Sequence, residues 1–289
     1  MQQLTRAMKM VSAAKLKRSQ DRMLAARPYT ATMTRVFERL AARSVDYHNP
    51  LLDARGDERY VVALVTADRG LCGAFNTNLI KAAYQFIREN HGKKIELVPI
   101  GRKGRDFFRR RAFPILREYI NVTAKTFDHD EAAQIARDII AAFTAERPKE
   151  EPGIDKVFLV YNEFKSVLSQ RVTIKQLLPV GRPSQSKSEE DRGLAPRPDE
   201  PKVLVDYVYE QPPAEIFSTL LPRYIETQVY QALLESVASE HGARMTAMDA
   251  AQKNAGDVIS SLTLNMNRVR QASITREIIE VVSGAQALG

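Results

Sequence analysis

The chain has 289 residues, a net charge of +8, no tryptophan and a single cysteine, Cys72. It is long enough to bury a sizeable core and to hold two domains, while the lack of any run of ~18 apolar residues excludes a membrane-spanning helix. One cysteine excludes an internal disulfide and a multi-cysteine metal site, which fits a reducing cytosol.

The first thirty residues are basic and amphipathic, without the apolar segment of a signal peptide, so none is expected. Between Met1 and Arg27 the cations Arg6, Lys9, Lys15, Lys17, Arg18, Arg22 and Arg27 face only Asp21. A second basic block, Arg102 to Arg117, has Asp106 as its one acid. Surfaces of this kind want acidic partners: nucleic acid, anionic lipid or acidic protein.

Leu4 to Leu40 reads as a long helix. Leu4, Met8, Val11 and Ala14 fall on one face, with Lys9, Lys15, Lys17 and Arg22 largely around it. Pro28 is expected to kink or interrupt this helix, because its ring clashes with the preceding turn. The pattern resumes at Met33, Val36, Phe37 and Leu40 and stops before His48-Asn49-Pro50.

The period then changes. Tyr60 to Thr66 is a continuous run rich in β-branched residues, as expected for a strand buried on both faces. A glycine-containing turn leads to a helix from about Asn76 to Glu89. Ile95 to Ile100 is a second strand and Lys103 to Arg111 a short helix. Asp130 to Ala145 is a further helix, Lys156 to Tyr161 a further strand, and Val172 to Leu178 an edge strand. Alternation of this kind argues for a small, mainly parallel α/β sheet. Arg182 to Pro201 is rich in proline and charge, with only Leu194 and Ala195 apolar, so it is expected to be a mobile loop. Val203 to Tyr209 alternates as a strand, and Pro212-Pro213 stands just ahead of the last helix, where proline is tolerated.

From about Arg223 to Leu288 there is no proline, and apolar residues recur at helical spacing. Ile225, Val229, Leu233 and Val237 step by four. Met248, Ala251, Ala255, Val258, Leu262, Met266 and Val269 step by three and four, the seam of a coiled coil. One helix of ~60 residues makes a rod on the order of 90 Å long, which needs a partner along its length. The two terminal helices can pair antiparallel, because the domain between them returns the chain. The architecture is therefore α/β: a long antiparallel coiled coil with an inserted α/β domain. The units are residues 1–52, residues 56–211 and residues 212–289. The end of the rod, Ile278-Ile279 and Val281-Val282 running into Ser-Gly-Ala-Gln-Ala-Leu288, is apolar and small, as at a site another protein encloses. The bland alternative for the seam is a purely structural homodimeric coiled coil, which this tip resists.

Several motifs admit two readings. Asp68-Arg-Gly-Leu-Cys-Gly-Ala-Phe-Asn76 lies between a strand and a helix, where a phosphate cradle would lie. Its spacing is neither GxGxxG nor GxxxxGK[ST], so a tight glycine turn is the better reading. Gly101-Arg-Lys-Gly104 with Arg105, Arg109, Arg110 and Arg111 could hold phosphate or nucleic acid, but lacks an aromatic ladder and reads more simply as a solvated basic face. Asp128-His-Asp-Glu131 resembles a metal cluster but is better explained as a helix cap, with Asp128 at the N-cap and Glu131 three residues on. Cys72 is expected to be an inert small residue.

The C-terminal residues Ile274-Thr-Arg-Glu277, Glu280 and Gly284-Ala285-Gln-Ala287 resemble the signature of the gamma subunit of the F-type ATP synthase, bacterial type. The resemblance extends over essentially the whole chain, through Ala7 to Lys15, Asp68 to Gly73, Gly101 to Gly104, Val160 to Phe164, Gln176 to Pro179, Asp206 to Glu210 and Ala238 to Met248. It implies a Rossmann-like foot and a shaft of two helices turning inside three alpha and three beta subunits. The foot would sit against the c-subunit ring and the epsilon subunit. The rotor would be non-catalytic, without cofactor or metal, coupling proton-driven rotation to conformational change in beta. It would be peripheral on the cytoplasmic face of the bacterial inner membrane. By the same resemblance Met8, Arg270, Gln271, Thr275 and Glu277 would touch the beta subunit, and Ile278, Ile279, Val281, Val282 and Leu288 would form the bearing tip. His48, Asn49, Pro50, Tyr207, Tyr209 and Glu210 would meet the c ring and epsilon. Family members begin several helical turns before the residues matching Met1-Gln-Gln, so part of the shaft is expected to be missing. The 182–201 loop lies near the redox-switched cysteine pair of chloroplast members but has no cysteine, so thiol regulation is not expected. A basic coiled-coil nucleic-acid binder and a nucleotide-dependent α/β enzyme are the competing readings.

Overall fold

The computed structural model describes residues 2–43, 48–122, 127–145, 153–167, 169–181 and 213–287. The strand expected at Val203 to Tyr209, the loop expected at 182–201 and Leu288 lie outside them.

Two helices dominate. Helix α1 runs from Gln2 to Arg43 and helix α5 from Pro213 to Ala287, 42 and 75 residues. At about 1.5 Å per residue α5 is on the order of 110 Å long. They pack antiparallel: Lys9 pairs with Asp249, and Gln2 reaches Gly256. The break expected at Pro28 is not there, and α5 likewise runs on through Pro222. Each proline removes one backbone hydrogen bond. Apolar packing on both sides of these positions outweighs the loss: Leu16, Met23, Phe37 and Leu40 of α1 and Phe217, Leu221 and Ile225 of α5 are buried. Phe37 anchors the joint, edge-on to Phe217 and stacked on Tyr224 at 4.5 Å.

The face of α1 that meets α5 is not the expected one. Leu4, Met8 and Val11 are exposed, and the contact is made by Ser12, Leu16, Ser19 and Met23. Small serines allow close helix approach, and each hydroxyl is satisfied within α1, Ser12 donating to Met8 O at 2.7 Å and Ser19 to Lys15 O at 3.0 Å. Hydrophobicity alone points to the wrong stripe because the contact is set by size.

Between the helices lies a four-stranded sheet in the order β2-β1-β3-β4. Its strands are β1 (Arg59–Val65), β2 (Lys94–Ile100), β3 (Lys156–Phe164) and β4 (Gln170–Leu178). Strands β2, β1 and β3 are parallel, and β4 closes one edge antiparallel to β3. Every residue of β1 is buried. Val61, Ala63 and Val65 face the side of the long helices and α4 (His129–Thr144). Tyr60, Val62 and Leu64 face α2 (Phe75–Glu89) and α3 (Arg102–Arg109). This is a doubly covered α/β sheet. Asp128 does occupy the N-cap of α4 with extended backbone, but its side chain makes no cap hydrogen bond, so half of the capping-box expectation fails.

Candidate functional site

The crevice at the carboxyl ends of β1 and β2, where turns lead into helix N-termini, is a usual anion position in a parallel sheet. Here the chain fills it with its own groups. The Asp68 carboxylate accepts from the backbone N–H of Arg102, at the first turn of α3, at 3.0 Å and from that of Asn121 at 2.9 Å. Thr66 Oγ1 accepts from Gly104 N at 2.9 Å, and Asn76 Oδ1 from Ala67 N at 2.9 Å. The amides a phosphate would take are thus held by side chains, with a carboxylate where the anion would lie. Gly101 has φ +107°, and a Cβ there would meet Thr66 O at 2.0 Å. This turn needs glycine for close packing.

The basic block on α3 is also partly committed. Arg105 pairs with Asp106 and Glu118, Arg102 donates to Asn121, and Arg111 lies 3.7 Å over the Phe107 ring. Phe107, Phe108 and Phe113 pack edge-to-face on one another. They offer no stacking platform for bases.

The α/β domain grips α5 over residues 226–247. Ala232 to Gly242 is buried on every side of the helix, including Glu235, Ser236, Ser239, Glu240 and His241. Arg137 of α4 pairs with Glu226, Lys175 of β4 donates to Gln228, and Ser239 donates to Asn162 O of β3. Gly242 passes against Phe164, Val167 and Gln170. Arg244 pairs with Glu240 at 2.7 Å and donates to Gly70 O at 3.3 Å. Burial pushes the Glu235 and Glu240 carboxyls up, although Gln231 and Arg244 respectively oppose it. Burial, with Arg244 and Lys15 nearby, pulls His241 down to about 4. Sequence reading missed this belt. The signal available was the Glu240-x-x-x-Arg244 spacing inside a stretch otherwise fit for a core.

Past Gly256 the rod stands alone among the described residues. Met248 is buried and Ala251 and Ala255 half-buried, but Val258, Leu262, Met266 and Val269 are 57–63% exposed. The seam expected to pack within the chain therefore packs only in its first third. α1 starts level with Gly256, and nothing else described reaches further. Arg270, Gln271, Thr275 and Glu277 are exposed along this segment, with Thr275 donating to Gln271 O within the helix. Ile278, Ile279, Val281 and Val282 are exposed too.

Met8 is 39% exposed on α1, at the edge of the face that meets α5. At the other end, the turn at His48 is ordered by Asn49, whose Oδ1 accepts from Leu51 N at 2.9 Å. Pro50 and His48 are exposed, His48 lying 3.6 Å from Asp53. Tyr207, Tyr209 and Glu210 lie outside the described residues. The structure thus places the expected sites at three levels: residues 270–282 on the projecting rod, Met8 on α1 beside the paired part of α5 near Asp249, and the His48 turn beyond the other end of α1.

A solitary helix with apolar residues around its circumference, rooted in a small α/β domain, is a subunit shaped for an enclosing partner. A family model described as ATP synthase matches residues 1–288. The ATP synthase gamma chain of Solibacter usitatus is 50% identical over 290 residues, covering 99% of this chain and 93% of that protein. That of a Geobacter species, strain M21, is 45% identical over 289 residues, with the same coverage. The chain belongs to the ATP synthase gamma-chain family. Among solved structures, the central stalk and c ring of the Tetrahymena thermophila mitochondrial ATP synthase includes a chain that superimposes with a TM-score of 0.60 at 25% identity, covering 86% of this chain and 99% of that one. No described helix is long and apolar enough to cross a membrane.

Proposed function

We infer that this chain, a central-stalk rotor subunit of ATP synthase, carries torque between a membrane-side foot and the projecting end of α5, and has no catalytic residues of its own. The observation that carries this reading is the segment 257–286. It is a bare helix of about 45 Å whose apolar side chains Val258, Leu262, Met266, Val269, Ile278 and Val282 all lie in solvent. A soluble domain does not keep such a surface uncovered.

The rod end enters a ring of three alpha and three beta subunits. Arg270, Gln271, Thr275 and Glu277 meet beta, as does Met8, and Ile278, Ile279, Val281 and Val282 turn as the tip in its bearing. Uncharged side chains suit that position because they do not lock into one orientation. The α/β domain meets the c ring and epsilon through the His48-Asn49-Pro50 turn and through Tyr207, Tyr209 and Glu210. The complex sits at the cytoplasmic face of a bacterial inner membrane. Rotation presents a different face of the rotor to each beta subunit, and differential contact with each beta conformation shifts its nucleotide affinity.

Mixing the purified chain with alpha and beta subunits tests this directly. The expected product contains three alpha, three beta and one copy of this chain and hydrolyses ATP. Failure to form it, both with this chain and with a version carrying additional N-terminal helical turns, would sink the reading.

A further inference from the structure

We propose that Arg244, held by Glu240, is a positioning residue that locks the α/β domain to the long helix, so that foot and rod turn as one body. The proposal rests on the rotor reading above and concerns how torque crosses the joint.

Apolar packing alone does not fix the register of this joint. The core of the joint is Leu233, Val237 and Ala238 against the sheet. Such contacts are strong but non-directional, and packed helices can slip or ratchet by a turn while remaining buried. A rotor joint is loaded along the direction in which such slip occurs. A directional bond to one fixed point on the opposite body resists it.

Arg244 supplies that bond. One guanidinium nitrogen sits 2.7 Å from Glu240, and the other donates to Gly70 O at 3.3 Å. Gly70 lies in the turn after β1, which is itself pinned by Asp68 to α3 and Asn121. The bond therefore ties α5 to the rigid end of the sheet. Of the other polar links across the joint, that of Lys175 to Gln228 is only partly buried and that of Ser239 to Asn162 O is long at 3.4 Å. Arg137, which reaches Glu226, is 57% exposed, and exposed pairs contribute little. The Glu240–Arg244 side chains are 5% and 13% exposed. A buried ion pair is often no more stabilising than apolar side chains of the same size, so fold stability does not account for it. Geometric register does. The same turn touches α5 again one helical turn on, where a Cβ on Gly73 would lie 3.7 Å from that of Ala247.

The test uses the complete membrane-bound enzyme carrying the paired change Glu240→Leu with Arg244→Met. The expected result is assembly, ATP hydrolysis and thermal stability close to wild type, with loss of most ATP-driven ion pumping per ATP hydrolysed. Undiminished pumping per ATP overturns the proposal. So does a fall in melting temperature with coupling intact, which would mark a merely structural pair. If the paired variant does not assemble, Arg244→Lys, which keeps the charge beside Glu240 but cannot span both partners, is read in its place by the same criteria.

A rescue separates register from any local disturbance. The 3.7 Å Cβ separation is in the range of a disulfide; Gly73 has φ +56°, where a cysteine carries backbone strain, so the reduced double-cysteine chain serves as its own control. Gly73→Cys with Ala247→Cys, with Cys72 replaced by alanine, is added to the uncoupled variant. Oxidation is expected to restore pumping and reduction to abolish it again. A formed cross-link that restores nothing overturns the proposal. Failure of the unmodified chain to assemble would instead count against the rotor reading itself.

Discussion

His241 shows how much a single ring can depend on its surroundings. It is 7% exposed, next to Glu240 in the chain with Nδ1 3.4 Å from the Arg244 guanidinium, and its pKa is lowered from 6.5 to about 4, first by burial and then by Arg244 and Lys15. A folded-state pKa below the unfolded one means that the unfolded chain takes up the proton first. The stability His241 contributes is complete above about pH 6.5 and is lost as pH falls towards 4, by about 3 kcal/mol. Glu235 and Glu240, raised by burial, act in the opposite sense. Their contribution is complete below the ordinary glutamate range and lost as pH rises through their raised values. Comparing wild type with His241→Gln cancels those carboxyls. The stability difference, measured by denaturant unfolding at pH 7 and pH 4.5, is expected to shift in favour of the variant at the lower pH. An unchanged difference would mean that the imidazole reaches solvent.

At the scale of elements, the two halves of α5 obey opposite rules. Leu233 is fully buried, and Leu262 is 62% exposed on the same helix. Leu233→Ala is expected to cost ~2–5 kcal/mol through lost burial and a residual cavity. Leu262→Ser is expected to stay within about 0.5 kcal/mol in the isolated chain while weakening its assembly with alpha and beta subunits. Chemical denaturation and a pull-down read the two effects separately. A large stability loss from Leu262→Ser would mean that the seam is covered within the chain itself. The sequence carries both halves in one unbroken apolar period, and period alone does not say where an intramolecular partner stops. Elements with strong local signals were legible: the β-branched run of β1, the edge strand β4, though not its antiparallel direction, and the two long helices. The α1 contact face was not, because Ser12 and Ser19 qualify by size rather than hydrophobicity. The Arg244 link to Gly70 was not, because it joins residues far apart in the chain, and no local pattern encodes such a contact. Pro28 misled because a local steric rule was set against packing along a whole helix.

At the scale of the molecule, the roles assigned to exposed residues can be tested only where they do not also hold the chain together. Met8 meets that condition. It is 39% exposed, and the neighbouring contact with α5 is made by Lys9 through Asp249. Its backbone carbonyl receives Ser12 within α1, a bond that a change of side chain keeps. Met8→Lys is therefore expected to leave the thermal stability of the isolated chain within about 0.5 kcal/mol of wild type. It lengthens a basic stripe that already carries Lys15 and Arg22. If that stripe faces an acidic surface on beta, an added ammonium forms an extra contact in some rotor positions and not in others. An interaction of unequal strength around the cycle holds the rotor back at its favoured angle, so hydrolysis continues while less of it is coupled to ion transport. The measurement is pumping per ATP hydrolysed in membrane vesicles, at low and at high ionic strength. The defect is expected to shrink as salt screens an exposed pair. Equal coupling in variant and wild type at low salt would remove Met8 from the beta-facing surface, while leaving the exposed end of α5 as the part of the rotor that the ring encloses.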